Sequence, residues 1–244
     1  MIAYLLYRDG YFCRSHLIFN MKYISIITLL LAFSVSSQTI NQLDENGRQH
    51  GIWKKNFDGT NILRFEGEFN HGKEIGLFKF YQNINGKAVL AATKEFLEAG
   101  SLANVKFFAS TGKLISEGQM NGKIYVGEWK YYQKDSNGLL TLEHFDASGN
   151  LTGERYVYYK NGNVSQKETY KNGKLDGVSS MYSEDKTVIQ EYTYTDGKLH
   201  GQFKIYDTKG QLVTEGFYKD DQKDGVWKYY ENGKLTEEKK FNTK

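Results

Sequence analysis

Apolar and polar residues repeat along this chain with a long period. From residue 51 onward, large apolar side chains recur at fixed distances behind a glycine, and charged residues fill the positions between them. Successive copies are 24 to 27 residues apart. The anchor, the position that opens each copy, is occupied by Gly51, Gly76, Ala103, Gly127, Gly153, Gly177, Gly201 and Gly225. Self-similarity at this period predicts a tandem array in which each copy is one small structural unit.

Two aromatic columns follow the anchors. The ring position, two residues after the anchor, is apolar in most copies: Trp53, Phe78, Val105, Trp129, Phe203 and Trp227. The tyrosine position, five residues after the anchor, holds Tyr81, Phe108, Tyr132, Tyr182, Tyr206 and Tyr230. The copy opened by Gly153 has one extra residue, so we expect Tyr156 and Tyr159 to fill its columns, whereas Ser179 interrupts the first column. Because side chains alternate along a strand, the two columns should lie on opposite faces.

Turn signals separate these segments. The dipeptides Asn137-Gly138, Asn161-Gly162 and Asn232-Gly233 predict type I′ hairpin turns, since Asn and Gly tolerate the positive φ angles that this turn requires. A second turn, read as NGKLDG over 172–177 and DGKLHG over 196–201, leads to the next anchor. Each copy is therefore predicted to be one β-hairpin.

The fold class that follows is all-β. We expect an elongated, single, twisted antiparallel sheet of tandem hairpins, because one hairpin buries too little to stand alone and needs its neighbours. The chain contains no proline that would interrupt a hydrogen-bonded ladder. Residues 88–100 are rich in helix formers, so a helix is the alternative there, although the repeat favours a strand. The charged strand 235–241 should form the far edge.

The best-preserved copy, GVWKYYENGKL at 225–235, carries a resemblance to a known family. It resembles the bacterial MORN-repeat variant, most closely the YwqK-type proteins classed as antitoxins, and the likeness covers residues 51 to 241. The resemblance implies hairpin arrays with binding roles toward proteins, membrane phospholipids or, for the YwqK type, a cognate toxin. The copies at Ala103 and Ser179 depart from the pattern. The family supplies no catalytic residues to carry over.

The N-terminus predicts a separate organisation. Residues 21–37 have the charged start, apolar middle and small-residue end of a signal peptide, with cleavage before Gln38. Residues 1–20 form a doubtful extension ahead of a better start, 38–50 a polar lead-in, and 51–244 the repeat array of about eight copies. We therefore expect an exported protein of a bacterial cell, at the periplasm, the outer surface or secreted. A second apolar stretch at 2–7 leaves an anchored form as the alternative.

Charge argues against nucleic acid as a partner. Removing Arg8, Arg14, Lys22 and Asp9 with the leader takes 32 basic and 29 acidic residues to 29 and 28, so the net charge falls from +3 to +1. Lysines and glutamates alternate along every copy, so the chain lacks the basic stripe that follows a phosphate backbone. For the same reason a contact with membrane lipid is only weakly supported.

Candidate chemistry is sparse. The five histidines lack metal-ligand spacing, and the one cysteine, Cys13, lies ahead of the leader. Residues 220–231 approach the spacing of a calcium loop except at Gln222, but they coincide with the start of the best-preserved hairpin. We expect no catalytic residues, no metal and no cofactor, and hence not an enzyme.

The aromatic columns remain as candidate binding residues. A single-layer sheet cannot bury rings on both faces, so one face should present Tyr and Lys to a partner. The candidates are Trp129, Tyr131, Tyr132, Trp227, Tyr229 and Tyr230. The predicted function is an exported, monomeric, non-enzymatic scaffold that binds a protein partner, as a YwqK-type antitoxin or immunity protein does. The alternative is an aromatic-cage module for envelope carbohydrate, choline-like groups or phospholipid.

Overall fold

Strands make up every regular element of the residues that the structure, a computed structural model, describes: 39–97 and 100–242. The predicted leader and extension, 1–37, lie outside the described residues. The strands are β1 Gln42–Leu43, β2 Gln49–Asn56, β3 Leu63–Asn70, β4 Lys73–Ile84, β5 Lys87–Phe96, β6 Leu102–Phe108, β7 Leu114–Asn121, β8 Ile124–Tyr132, β9 Leu139–Phe145, β10 Gly153–Tyr158, β11 Val164–Lys171, β12 Lys174–Leu175, β13 Gly177–Tyr182, β14 Val188–Thr195, β15 Lys198–Tyr206, β16 Leu212–Lys219, β17 Gln222–Glu231 and β18 Lys234–Phe241.

Strands that are consecutive in sequence pair antiparallel from β1 to β18, except for β12 and β13, which do not pair with each other. Instead, β11 pairs with both β12 and β13. The predicted all-β fold, one open antiparallel sheet of hairpin repeats, is confirmed. Residues 88–96 form part of β5, so the strand expected there is confirmed in preference to the helix. The lead-in 38–50 contributes β1 and the first two residues of β2.

The turns correct two predictions. Asn232-Gly233 has positive φ at both residues, 50° and 73°, and forms the expected type I′ turn. At Asn161-Gly162 only Gly162 has a positive φ, 86°, and the Tyr159 N–H donates to the Asn163 carbonyl across a longer loop. At Asn137-Gly138 neither φ is positive. Type I′ was wrong at both sites because the additional loop residues let the chain reverse without two left-handed residues.

Four anchor glycines, Gly76, Gly127, Gly201 and Gly225, lie in bulges, where three residues of one strand face one residue of its neighbour. Glu117 pairs with Lys130 and Gln119 with Val126, so the segment 127–129 lies opposite Gly118 alone. All seven anchor glycines have positive φ, for example 67° at Gly127, which is the conformation that glycine adopts without strain. The bulge turns the next ring-position side chain over the neighbouring strand.

The hydrophobic core lies on the face that carries the ring position, which we name the aromatic face. Trp129 and Phe78 are 0% exposed, and Trp227 is 1% exposed. Each ring lies directly over a glycine of the preceding strand, and the pairs are Phe78 over Gly67, Trp129 over Gly118 and Trp227 over Gly216. Trp129 also stacks on Tyr125, with ring centroids 3.9 Å apart. Neighbouring copies therefore bury one another's rings within a single layer, as expected of a repeat array.

One copy departs from the predicted columns. Arg155 pairs with Glu168, and Tyr158 with Val164 across a bulge, which are the register positions that the ring and tyrosine positions have elsewhere. Arg155 therefore occupies the ring position and Tyr158 the tyrosine position, so the assignment of Tyr156 and Tyr159 to these columns was wrong. The copy opened by Gly153 is 24 residues long, like the copies opened by Gly177 and Gly201, so the additional residue expected there is absent. Each side chain of β10 therefore lies on the face opposite to the one predicted.

Candidate functional site

The face opposite the core, the charged face, carries one continuous cross-strand row. It contains one residue from each long strand, and adjacent members pair in the sheet register. In order, the row reads Lys54, Glu66, Lys79, Thr93, Lys106, Glu117, Lys130, Leu142, Tyr156, Lys167, Ser180, Glu191, Lys204, Glu215, Lys228 and Glu238. Lysine and glutamate alternate along most of it, and such opposite-charge neighbours stabilise the register.

The tyrosine position reinforces this row. The Tyr81 hydroxyl donates to Glu66 at 2.8 Å, and the Tyr132 hydroxyl donates to Glu117 at 2.5 Å. Partial burial, together with the glutamate, raises the pKa of Tyr81 and of Tyr132 to about 12. The tyrosine hydrogen bond in turn lowers the pKa of both glutamates. The same contact recurs as Tyr206 with Glu191 and Tyr230 with Glu215. These hydroxyls are therefore committed to intramolecular contacts.

The row is interrupted at β9, β10, β11 and β13, which we name the central interruption. There the charged face carries Leu142, Tyr156, Lys167 and Ser180 in place of alternating Lys and Glu. Lys167 pairs at 2.6 Å with Glu154, a neighbour outside the row. A cleft of about 380 Å³ opens beside it, lined by Tyr156, Lys167, Tyr182 and Lys186 among others.

The aromatic face changes at the same strands. Arg155 donates to Glu143 and to Glu168, at 2.9 Å each, where other copies place a tryptophan over a glycine. The three side chains are only 24%, 15% and 10% exposed. Tyr170 and Gln166 also donate to Glu168. Because the largely buried charges are paired, each keeps its hydrogen bonds. This charged network separates the aromatic core that precedes β10 from the aromatic core that follows it.

An exposed apolar pair lies on the charged face of the last copies. Phe217 is 53% exposed and Val226 is 45% exposed, on the adjacent strands β16 and β17. Together with Gln202, Glu215 and Lys228 they line a groove of about 290 Å³. A groove of about 420 Å³ occupies the equivalent place near the start of the array, with Ile52 and Leu77 as its apolar residues.

The predicted binding residues divide among three locations. Trp129 and Trp227 are core residues whose rings offer no surface to a partner. Tyr131 and Tyr229 share the aromatic face with them, whereas Tyr132 and Tyr230 lie on the charged face, bonded to glutamates. The sequence patterns missed Phe217 and Val226. The alternation of side chains along a strand was the available signal. Phe217 follows Gly216 and Val226 precedes Trp227, which belong to the core, so both side chains should lie on the opposite face.

Metal and membrane features are sparse in the described residues. Across 39–97 and 100–242, no group of three or more His, Cys, Asp or Glu side chains is placed to hold a metal ion. The calcium-like segment begins with Asp220 and Asp221, whose φ values of 46° and 67° form a hairpin turn between β16 and β17. Within the same ranges, no helix has the length and apolar character needed to cross a membrane.

Comparison with known proteins supports the repeat assignment. Three segments, residues 151–172, 199–220 and 223–242, match the family described as MORN repeat variant. They contain the strand pairs β10–β11, β15–β16 and β17–β18. A search of curated proteins found no significant match. The chain therefore contains MORN-type repeats in its second half, and its hairpins form a repeat scaffold.

Proposed function

We propose that this chain is an exported, non-enzymatic scaffold that binds a protein partner through its charged face. The observation that carries the proposal is the exposed pair Phe217 and Val226 in its groove. An exposed aromatic residue surrounded by charged residues such as Glu215 and Lys228 has the composition of an interface centre with a polar rim.

The equivalent groove around Ile52 and Leu77 strengthens the argument. The two grooves use the same register positions of different copies, with Leu77 in the place of Val226 but Glu68 in the place of Phe217. A partner that presents two apolar segments therefore meets two related surfaces. Simultaneous contact at both grooves raises the effective affinity without new chemistry. The Lys–Glu row between them supplies contacts that set orientation more than affinity.

The specific role that we propose is neutralisation of a toxin, as the YwqK resemblance suggests. The predicted leader places this function outside the cytoplasm, where an immunity-type protein meets its toxin. A catalytic role has no support in the site geometry, since the tyrosines and glutamates of the charged face are bonded to one another.

Replacing Phe217 with aspartate is expected to weaken partner binding at least tenfold, because a charge in the groove removes the aromatic anchor. The assay is co-expression of this chain with the product of each adjacent gene, followed by titration calorimetry of any pair in which growth arrest is relieved. Ile115→Asp is the matched control, since Ile115 is also a half-exposed apolar residue in a strand of the same sheet. Equal binding by the wild type and Phe217→Asp contradicts the proposed surface.

Export has a test of its own. The mature protein recovered from fractionated cells is expected to begin at Gln38 and to appear outside the cytoplasmic fraction. Mass spectrometry of the intact protein measures this directly. A cytoplasmic protein that retains residues 21–37 contradicts export but leaves the binding surface unaffected.

A further inference from the structure

The cleft at the central interruption is where several departures from the chain's own repeat converge. Its principal lining residues are Tyr156, Lys167, Tyr182, Lys186 and Asn163, and its volume is about 380 Å³, in the range of small-molecule pockets. Irregularities without a function would be expected at scattered positions, whereas these lie around one cleft.

The first departure is in the charged row. Where four of the other copies pair a lysine with a glutamate, this one pairs Tyr156 with Lys167. Among the described residues, Glu154 is the one carboxylate paired with Lys167, at 2.6 Å, and that carboxylate is about half exposed. An ion pair this exposed contributes little free energy, so an incoming anion can replace it.

The second departure is a strained backbone. Lys186 has a φ of 72° in the turn 183–187, and its N–H donates to the Ser183 carbonyl at 3.0 Å. In three equivalent turns of other copies this left-handed position is glycine: Gly112, Gly162 and Gly210. A side chain in this conformation costs about 1 kcal/mol, and such strain is found at binding sites.

The third departure is unused hydrogen-bonding capacity. Tyr182 occupies the tyrosine position, but its register faces Lys167 and not a glutamate, and its hydroxyl makes no hydrogen bond within the described ranges. The Asn163 amide donates to the Glu184 carbonyl at 2.7 Å, and among the described residues its side-chain oxygen accepts no hydrogen bond. The cleft therefore offers a hydroxyl and an amide oxygen beside two ammonium groups.

We propose that this cleft binds an acidic sugar, with the carboxylate between Lys167 and Lys186 and the sugar ring against Tyr156 and Tyr182. The ammonium groups select an anion and disfavour choline-like cations, which an aromatic cage without lysines would accept. The Tyr182 hydroxyl and the Asn163 oxygen meet ring hydroxyls. This site does not depend on the protein-binding groove at Phe217.

Calorimetric titration with a galacturonic acid disaccharide tests the site, with the neutral galactose disaccharide and acetate as comparison ligands. We expect the acidic disaccharide to bind at least tenfold more tightly than either. Equal affinity for the neutral disaccharide overturns the role of the lysines, and equal affinity for acetate overturns the role of the rings.

Two variants separate binding from folding. Lys186→Gly restores the residue of the equivalent turns, so the melting temperature should rise while affinity falls at least tenfold. Glu154→Gln releases Lys167 and should tighten binding severalfold. Lys209→Gly, in the equivalent turn of the next copy, is the matched control and should leave affinity unchanged. Unchanged affinity in Lys186→Gly, or the same loss in Lys209→Gly, overturns the proposal.

Discussion

Replacing Gly118 with alanine is expected to destabilise the protein by about 3 kcal/mol, near the upper end for overpacking a core. The added Cβ would lie 2.4 to 2.6 Å from ring atoms of Trp129. That ring cannot withdraw, because it is fully buried and its Nε1 donates to the Gln119 carbonyl at 2.9 Å. Thermal unfolding followed by tryptophan fluorescence should show the melting temperature lowered by about 10 °C.

Gly138→Ala is the matched control. Gly138 also lacks a positive φ, and a Cβ there meets Ser136 Oγ at 3.4 Å and Gln133 Cγ at 3.9 Å, so the change should stay within about 0.5 kcal/mol. Gly216→Ala should reproduce the Gly118 result, since its Cβ would meet Trp227 at 2.3 Å. Similar stability of Gly118→Ala and Gly138→Ala would show that the rings do not rest on these glycines.

The sequence was sufficient to predict the fold because about eight copies share the same local conformational preferences. Anchor glycines, ring positions and turns recur every 24 to 27 residues, so errors in single copies did not change the architecture. The two-faced arrangement also followed, since Trp129 and Tyr132 differ by an odd number of residues and do lie on opposite faces. The charged edge strand β18 was predicted correctly, and it pairs only with β17 among the described strands.

The candidate site was harder to predict because it lies where the repeat fails. The expectation of an additional residue after Gly153 placed Tyr156 with the tryptophans, whereas the register places Arg155 there. A slip of one residue exchanges the two faces of a strand, and the charged Arg155 did not match a column that is apolar in most other copies. The burial of Trp129 and Trp227 was similarly hidden, since an aromatic column predicts packing and binding equally well.

The central interruption leads to the second large prediction. Replacing Arg155 with methionine is expected to destabilise the protein by about 3 kcal/mol at neutral pH, because Glu143 and Glu168 lose the guanidinium that bonds both of them at 2.9 Å. Removing one partner of a buried ion network costs far more than the network contributes as a whole. Chemical denaturation monitored by circular dichroism measures the difference in unfolding free energy.

Lys130→Met is the matched control for charge removal. Lys130 pairs with Glu128 at 2.9 Å, but both side chains are exposed, so the loss should be at most about 1 kcal/mol. Combining Arg155→Met with Glu143→Gln and Glu168→Gln should recover much of the stability, since the amides keep hydrogen bonds without charge. Equal losses for Arg155→Met and Lys130→Met would mean that Arg155 makes no buried contact.

The triple variant separates lost charge pairing from lost packing. Without the guanidinium, Glu143 and Glu168 are two unpaired carboxylates in a largely buried site, whereas glutamine amides there carry no charge. Recovery of stability by the two glutamine substitutions in the Arg155→Met background would assign the loss to charge. A deficit that persists in the triple variant would assign the effect to the shape of the side chain and would remove the charge network as the reason that the aromatic core is divided at β10.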